Sequence, residues 1–272
     1  MKTPNIILPL YLIWLIILVF IPFLLMIFLA FSHTNGLDFS HIRFSLINFK
    51  EIADPIYFNA YLNSIILSAS ASLLCLLIGY PIALIISKIK KNSLRNIILI
   101  MFILPMWSNM LIRIMGWEIL FNPNSILNVL GISLDLIGSP LAIIIGMVST
   151  YLPFMIFPIY TAINKLDQAL IEASYDLGAN KRQTFRKVIL PLSLPGIYSG
   201  LTMVFLPSAT NFALPERLSG GNIVLLGNLI NSNFGKTFNY GFGSLLSVIL
   251  ITIIFITMIF INHKDKDGDL LI

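Results

Sequence analysis

Glu172-Ala173-Ser174-Tyr175-Asp176-Leu177-Gly178-Ala179-Asn180-Lys181-Arg182-Gln183-Thr184-Phe185-Arg186-Lys187-Val188-Ile189-Leu190-Pro191 is a charged island between long apolar segments. A hydrophobic chain has little reason to interrupt itself with a polar, helix-forming stretch unless something soluble docks there. The chain around it is 57% apolar and 11% charged, against about 25% charged in a soluble domain. Several apolar runs reach about 20 residues, the length that crosses the hydrocarbon of a bilayer. The chain is therefore an all-α integral membrane protein, because lipid cannot satisfy the backbone of any spanning element but a helix or a closed barrel. The runs are too long for barrel strands.

Six spans are expected: Leu8 to Phe31, Tyr61 to Ile86, Asn96 to Leu120, Pro140 to Ala162, Leu194 to Leu214, and Phe242 to Asn262. The first continues well past a signal-peptide core and lacks a small-residue cleavage site, so it reads as a retained helix. A sequence pI near 9.3 would suggest nucleic acid in a soluble protein; here the basic residues sit in loops. With the N-terminus inside, the inner segments hold twelve of them: Lys2; Lys88, Lys90, Lys91 and Arg95; Lys165, Lys181, Arg182, Arg186 and Lys187; and Lys264 and Lys266. The outer segments hold four, Arg43, Lys50, Arg217 and Lys236, and Arg113 lies within a span. Cytoplasmic loops carry the excess of Lys and Arg. Both termini and the island are therefore expected in the cytoplasm.

Within the island Asp167 can cap a short helix that stops at Gly178, a natural left-handed terminator. Leu166, Leu170, Ala173 and Leu177 share one face at helical spacing, while Gln168, Glu172 and Asp176 share another. Asn180 can cap a second helix, with Gln183 completing a capping box. That helix must break or bend before Pro191. The shape is a compact elbow. An ordinary amphipathic surface loop would explain the apolar stripe, but not why this is the longest and most charged cytoplasmic segment. Lys181 and Arg182 at a helix start also oppose the macrodipole, so local stability did not select them.

The island resembles the signature loop of the binding-protein-dependent ABC importer permeases: Glu-Ala-Ala, three residues, Gly, nine residues, Ile, one residue, Leu-Pro. Glu172, Ala173, Gly178, Leu190 and Pro191 stand at those positions, with Ser174 for the second alanine and Val188 for the isoleucine. The resemblance implies a type I ABC importer permease fold in a bacterial inner membrane. It implies that Glu172, Ala173, Ser174, Gly178, Leu190 and Pro191 couple the chain to a cytoplasmic ATPase. Glu172 would face a basic group there, Ala173 would permit close approach, and Gly178 would supply the turn. The chain would then comprise a first helix with its external connector (1–60), a core of five spans (61–262) with the coupling loop at 163–193, and a cytoplasmic tail (263–272). The connector from Ser32 to Ala60 can serve either as a contact for a binding protein or as a plain linker.

A closer likeness runs over nearly the whole chain. Leu8-Pro9-Leu10-Tyr11-Leu12-Ile13-Trp14, Gly79-Tyr80-Pro81, Leu111-Ile112-Arg113-Ile114, Leu152-Pro153-Phe154-Met155, Lys165-Leu166-Asp167 and Asp176-Leu177-Gly178-Ala179 resemble the polyamine-importing members of that family. The stretch at 216–240, with Pro215-Glu216-Arg217, departs from their pattern. The likeness implies spermidine or putrescine as cargo, a homologous second permease, two ATPase subunits and an extracytoplasmic polyamine-binding protein. ATP and Mg²⁺ would be bound by the ATPase, with no cofactor in this chain. The same engine also serves thiamine, iron and oxyanions, since the elbow specifies the motor and not the cargo. An ATP-independent channel or secondary transporter would have no use for an intact elbow.

A polyamine pathway wants carboxylates and aromatic faces, and Trp107, Trp117, Glu118, Tyr151 and Tyr160 lie in or near the third and fourth spans. The tryptophans can equally be interfacial anchors. Arg113 has the wrong sign for a polyamine ligand and is expected to pair with Glu118 or with a backbone carbonyl. Gly235-Lys236-Thr237 echoes a phosphate-binding loop, but Ile230 stands where its first glycine belongs. His33, His41 and His263 are dispersed without metal-ligand spacing. Cys75, the only cysteine, reads as a small core residue. No nucleophile–base pair is readable, so the chain is not expected to be a catalyst.

Overall fold

The computed structural model describes residues 7–35, 38–125, 131 and 134–266; Lys2 and residues 267–272 of the tail lie outside them. Four helices are long and apolar enough to cross a membrane unbroken: Tyr11–Ala30, Pro55–Ser87, Pro140–Asn164 and Tyr240–Thr257. Two bent pairs bring the count among the described residues to as many as six, if each is one span. Asn92–Trp107 and Met110–Phe121 meet at 91°, and Lys181–Leu192 and Leu194–Thr210 meet at 60°.

Local chemistry sets the ends. Asp54 accepts from the Ile56 N–H at 2.9 Å with Pro55 at the first helical position. The second span therefore starts at Pro55, six residues before the expected Tyr61. Ser139 caps the fourth span in the same way ahead of Pro140. The third span is not the single helix expected from its hydropathy. It breaks after Pro105 at Ser108-Asn109, and Asn109 caps the second half by accepting from Leu111 N–H at 2.8 Å. The fifth span likewise stops at Thr210 and does not run on to Leu214; a separate short helix, Ala213–Leu218, follows.

The core lies between the second, fourth and fifth spans. Met155, fully buried, sits between two glycines. A methyl group built on Gly200 would lie 2.7 Å from the Met155 sulfur, and one on Gly79 would lie 3.1 Å from its Cγ. Close approach of this kind is how helices associate in lipid, where no hydrophobic drive separates protein from tail. The Ser- and Ala-rich start of the second span serves the same end: Ser64, Ser68, Ala71 and Ser72 are all buried. The first span is peripheral. Only 6% of its apolar window is buried, against 56% in the fourth, and it packs on the last helix.

The connector after the first span is an antiparallel hairpin, Ser32–Asn35 with Asp38–Phe44. Buried Asn48 closes it by donating to the Ala30 and Ser32 carbonyls at 3.1 and 3.0 Å. The stretch at 216–240 is also structured. Its helix Leu226–Gly235 docks into the bundle, where Leu226 N–H donates to Ser64 Oγ at 2.8 Å.

Candidate functional site

The elbow forms as its caps dictate. Asp167 accepts from Ala169 N–H at 2.9 Å and starts the helix Gln168–Asp176. Gly178 takes φ +82°, and its N–H and that of Ala179 return to the carbonyls of Tyr175 and Ser174 at 2.9 and 3.0 Å. Such a return satisfies the last carbonyls of a helix and needs a left-handed residue. Asn180 and Gln183 then exchange side-chain and backbone bonds at 2.8 and 3.0 Å to open the second arm.

The second arm carries a π-helical turn, Phe185–Ile189, directly ahead of Pro191. The chain does not break there. The extra residue of the π turn absorbs the missing proline N–H, and the 60° bend comes later, between Leu192 and Leu194. At that joint Ser193 is fully buried. Its hydroxyl lies 2.9 Å from the Tyr80 hydroxyl of the second span. The Tyr80 ring meets Phe185 edge-on at 5.8 Å. The elbow is thus tied to the second span as well as to the fourth and fifth.

Of the six sequence-predicted coupling residues, Glu172, Ala173, Gly178 and Pro191 are exposed and Leu190 is half-buried. Ser174 faces inward: it is 8% exposed, and its hydroxyl lies 2.9 Å from Thr184 Oγ1 across the elbow. The serine that replaces the signature alanine braces the two arms. The apolar stripe turns away from the bundle. Leu170 is 49% exposed and Leu177 is 89% exposed, on a helix that stands clear of the spans. The helix buries the side carrying Ile171 and Ser174 instead.

The five pathway candidates do not converge. Trp107 ends its helix 83% exposed. The Trp117 indole N–H donates to Ser149 Oγ at 2.9 Å, and its ring stacks on Phe121 at 5.1 Å. Tyr151 is committed to the break in the fifth span: its hydroxyl donates to the Pro207 carbonyl and accepts from Asn211 Nδ2 at 2.7 Å. Tyr160 lies nine residues further on, about 14 Å along the helix, packed against the core. Glu118 pairs with Arg217 at 3.7 Å and not with Arg113. Residues five apart point about 140° away from each other on a helix, so those two cannot meet. The Arg113 Nε is buried and has no hydrogen-bond partner among the described residues.

Sequence reasoning missed the partners of these groups. Arg217 lies in the stretch that departs from the family pattern, as does Glu216, which holds Lys236 at 3.2 Å. Gly235 closes a helix there instead of opening one. The three charges of 216–236, Glu216, Arg217 and Lys236, were the available signal.

The sequence matches the family described as binding-protein-dependent transport system inner membrane component over residues 75–267. The spermidine/putrescine transport system permease protein PotB of Haemophilus influenzae is 40% identical over 242 residues, covering 86% of this chain and 84% of that one. Its Escherichia coli K12 counterpart is 37% identical over 244 residues, covering 87% and 88%. Among solved structures, a chain of a bacterial ABC transporter involved in the import of the acidic polysaccharide alginate aligns with a TM-score of 0.77. It is 17% identical and the match covers 96% of this chain and 94% of that one. A chain of the MetNI methionine ABC transporter, in an inward-facing conformation, aligns with a TM-score of 0.61 at 20% identity, covering 79% and 99%. At such identities the likeness concerns the fold.

Proposed function

Because the chain belongs to the family of binding-protein-dependent transport system inner membrane components, and has the type I ABC importer permease fold, we propose that it is the polyamine permease subunit of an ATP-driven importer. The chain is a multi-pass inner-membrane protein with a non-enzymatic role. Spermidine and putrescine are the cargo named for relatives that share 36–40% of its residues over most of its length. The observation that carries the motor half of this reading is the elbow. Leu170, Ala173 and Leu177 present an apolar stripe outside the spans beside the exposed Glu172, a combination suited to a groove on a soluble subunit.

In this reading two ATPase subunits hold ATP and Mg²⁺, and the elbow of this chain seats on one of them. A homologous permease forms the other half of the pathway, and an extracytoplasmic polyamine-binding protein delivers the cargo. Closure of the ATPase pair pushes the elbow, and the Ser193 joint and the Tyr80 contact pass the motion to the second, fourth and fifth spans. Trp107, Trp117, Glu118, Tyr151 and Tyr160 remain the pathway candidates on this side of the translocation interface. Tyr151 and Trp117 spend their polar atoms on buried or half-buried partners within the chain, whereas Glu118 holds only a solvent-exposed 3.7 Å pair with Arg217. Glu118 and the exposed Trp107 are therefore the two best placed to meet a cation.

The test is ATP hydrolysis by the reconstituted complex with its binding protein. Spermidine or putrescine should raise it; activity that stays flat with both while another solute raises it would reject polyamine as the cargo. Loss of only the polyamine response in Glu118→Gln would place that carboxylate on the pathway, and an unaltered response would remove it.

A further inference from the structure

Beside the elbow lies a cavity of about 680 Å³ that the coupling role does not use. Its wall draws on three parts of the chain: Lys88 just past the second span, Lys90 and Arg95 on the way into the third, and Tyr175 and Lys181 on the elbow. Four cationic side chains line it, and no carboxylate does. None of the four belongs to an ion pair among the described residues. Arg95 gives one amino group to Asn92 Oδ1 at 2.9 Å, while its Nε is buried and has no hydrogen-bond partner. Like charges gathered around a concave, partly enclosed space repel each other and raise the local potential, which favours an anion within it.

Depth narrows the anion. Asn164, also on the wall, is the last residue of the fourth span, and Lys88 directly follows the last residue of the second. The cavity therefore sits where apolar helices end, at the level of lipid headgroups. Its lining mixes these cations with apolar side chains such as Phe185 and Ile189. We infer that the cavity is a binding site for a phosphate group. The guanidinium fork of Arg95 suits two phosphate oxygens, and the three lysines act as point charges around them. A phospholipid headgroup and a free phosphate share this chemistry, and basic pockets between spans at such a depth take lipid headgroups. A bound phosphate bridges Lys181 of the elbow to Lys88 and Arg95 of the bundle, across the gap that elbow movement must change.

The test uses the full chain purified with its co-expressed partners, with native mass spectrometry after exchange into phosphatidylglycerol or phosphatidylcholine. The wild type should retain phosphatidylglycerol over phosphatidylcholine. The triple variant Lys88→Gln, Arg95→Gln, Lys181→Gln should lose that preference, and Lys165→Gln, Arg182→Gln, Arg186→Gln, which removes equal charge outside the cavity, should keep it. A second arm adds millimolar inorganic phosphate in phosphatidylcholine alone. A rise in thermal midpoint for the wild type and not the triple variant, without any lipid preference, assigns the site to free phosphate. Equal lipid retention and an equal phosphate response in wild type and triple variant overturn the inference. So does a triple variant that sheds its ATPase yet keeps the lipid, since the cations would then serve the subunit contact.

Discussion

Leu177 leaves 89% of its surface in water, three residues from a serine that is 8% exposed. A helix that satisfied itself would place them the other way round. Burying a leucine contributes about 1.5–3 kcal/mol, so docking of this one side chain is a sizeable part of a subunit contact. Glu172 stands exposed on the same helix, where a charge reversal breaks no ion pair among the described residues. Glu172→Lys should therefore insert and assemble its own spans normally while transport is lost; full uptake by that variant in cells would contradict the docking role. Ser174 and Thr184 belong to a different class. Ser174 Oγ donates to the Ile171 carbonyl at 2.7 Å and accepts from Thr184 Oγ1 in a buried place; an orphaned buried hydroxyl costs about 1–3 kcal/mol while removal of both partners can be nearly neutral. Ser174→Ala alone should lower the thermal midpoint of the complex, and Ser174→Ala with Thr184→Val should recover most of the loss. Equal losses in the single and double variants would remove the brace.

Gly200 and Gly79 act at the scale of whole helices, because Met155 occupies the space their missing side chains leave. Gly200→Leu drives a side chain into that sulfur and should cost about 1–3 kcal/mol or more through overpacking. Less folded subunit should then be recovered on size exclusion. Adding Met155→Ala to Gly200→Leu returns volume to the site and should restore part of it; no recovery would mean that the helices do not meet there. Elements of this kind were legible in part. Hydropathy located the unbroken spans, and Asp167, Gly178, Asn180 and Gln183 announced the elbow through caps whose chemistry is local. The break at Ser108-Asn109 was not seen because the apolar residues on either side carry a hydropathy window straight across it. The signals were there: Pro105 before the break and Asn109 as a cap after it. Helix Leu226–Gly235 was read as outer loop because ten residues are too few to span and Asn228, Asn231, Ser232 and Asn233 make it polar. Leu226, Leu229 and Ile230 recur at helical spacing, and they hold it by packing on the last helix beside the bond to Ser64. The outward turn of Leu177 was equally hidden, since periodicity shows that a stripe exists and not which neighbour it faces.

Across the whole molecule the packing fixes which ends lie together. The second and fourth spans run the same way, since Lys88 and Asn164 border one cavity at their C-terminal ends. The chain must cross the bundle once between them, so the bent pair Asn92–Trp107 and Met110–Phe121 is a crossing and not a re-entrant loop. The fifth span runs back from the elbow, with Gly196 against Ala162 and Gly200 against Met155. The sixth runs parallel to the second, its Phe242 ring 4.8 Å from Tyr57 near the second span's start. Gly241 packs on the Leu29 and Ser32 carbonyls at the end of the first span, which is therefore antiparallel to the sixth. With each bent pair counted as one crossing, the Ile7 and Lys266 ends are expected on the elbow's side of the membrane. Of the described Lys and Arg residues the elbow's side would then carry eleven and the opposite side four, the excess expected of a cytoplasmic face. Cys75 is fully buried, so a Cys75→Ala chain gives a clean background for single cysteines. Lys91→Cys in that background, at an exposed position on the elbow's side outside the docking stripe, should react with a membrane-impermeant maleimide only in inside-out vesicles. Lys236→Cys, at a side chain 67% exposed on the other side, should react only in intact cells opened at the outer membrane. The reverse pattern would turn the molecule over and take the elbow away from any cytoplasmic ATPase; labelling of both from one side would break the count of six crossings itself.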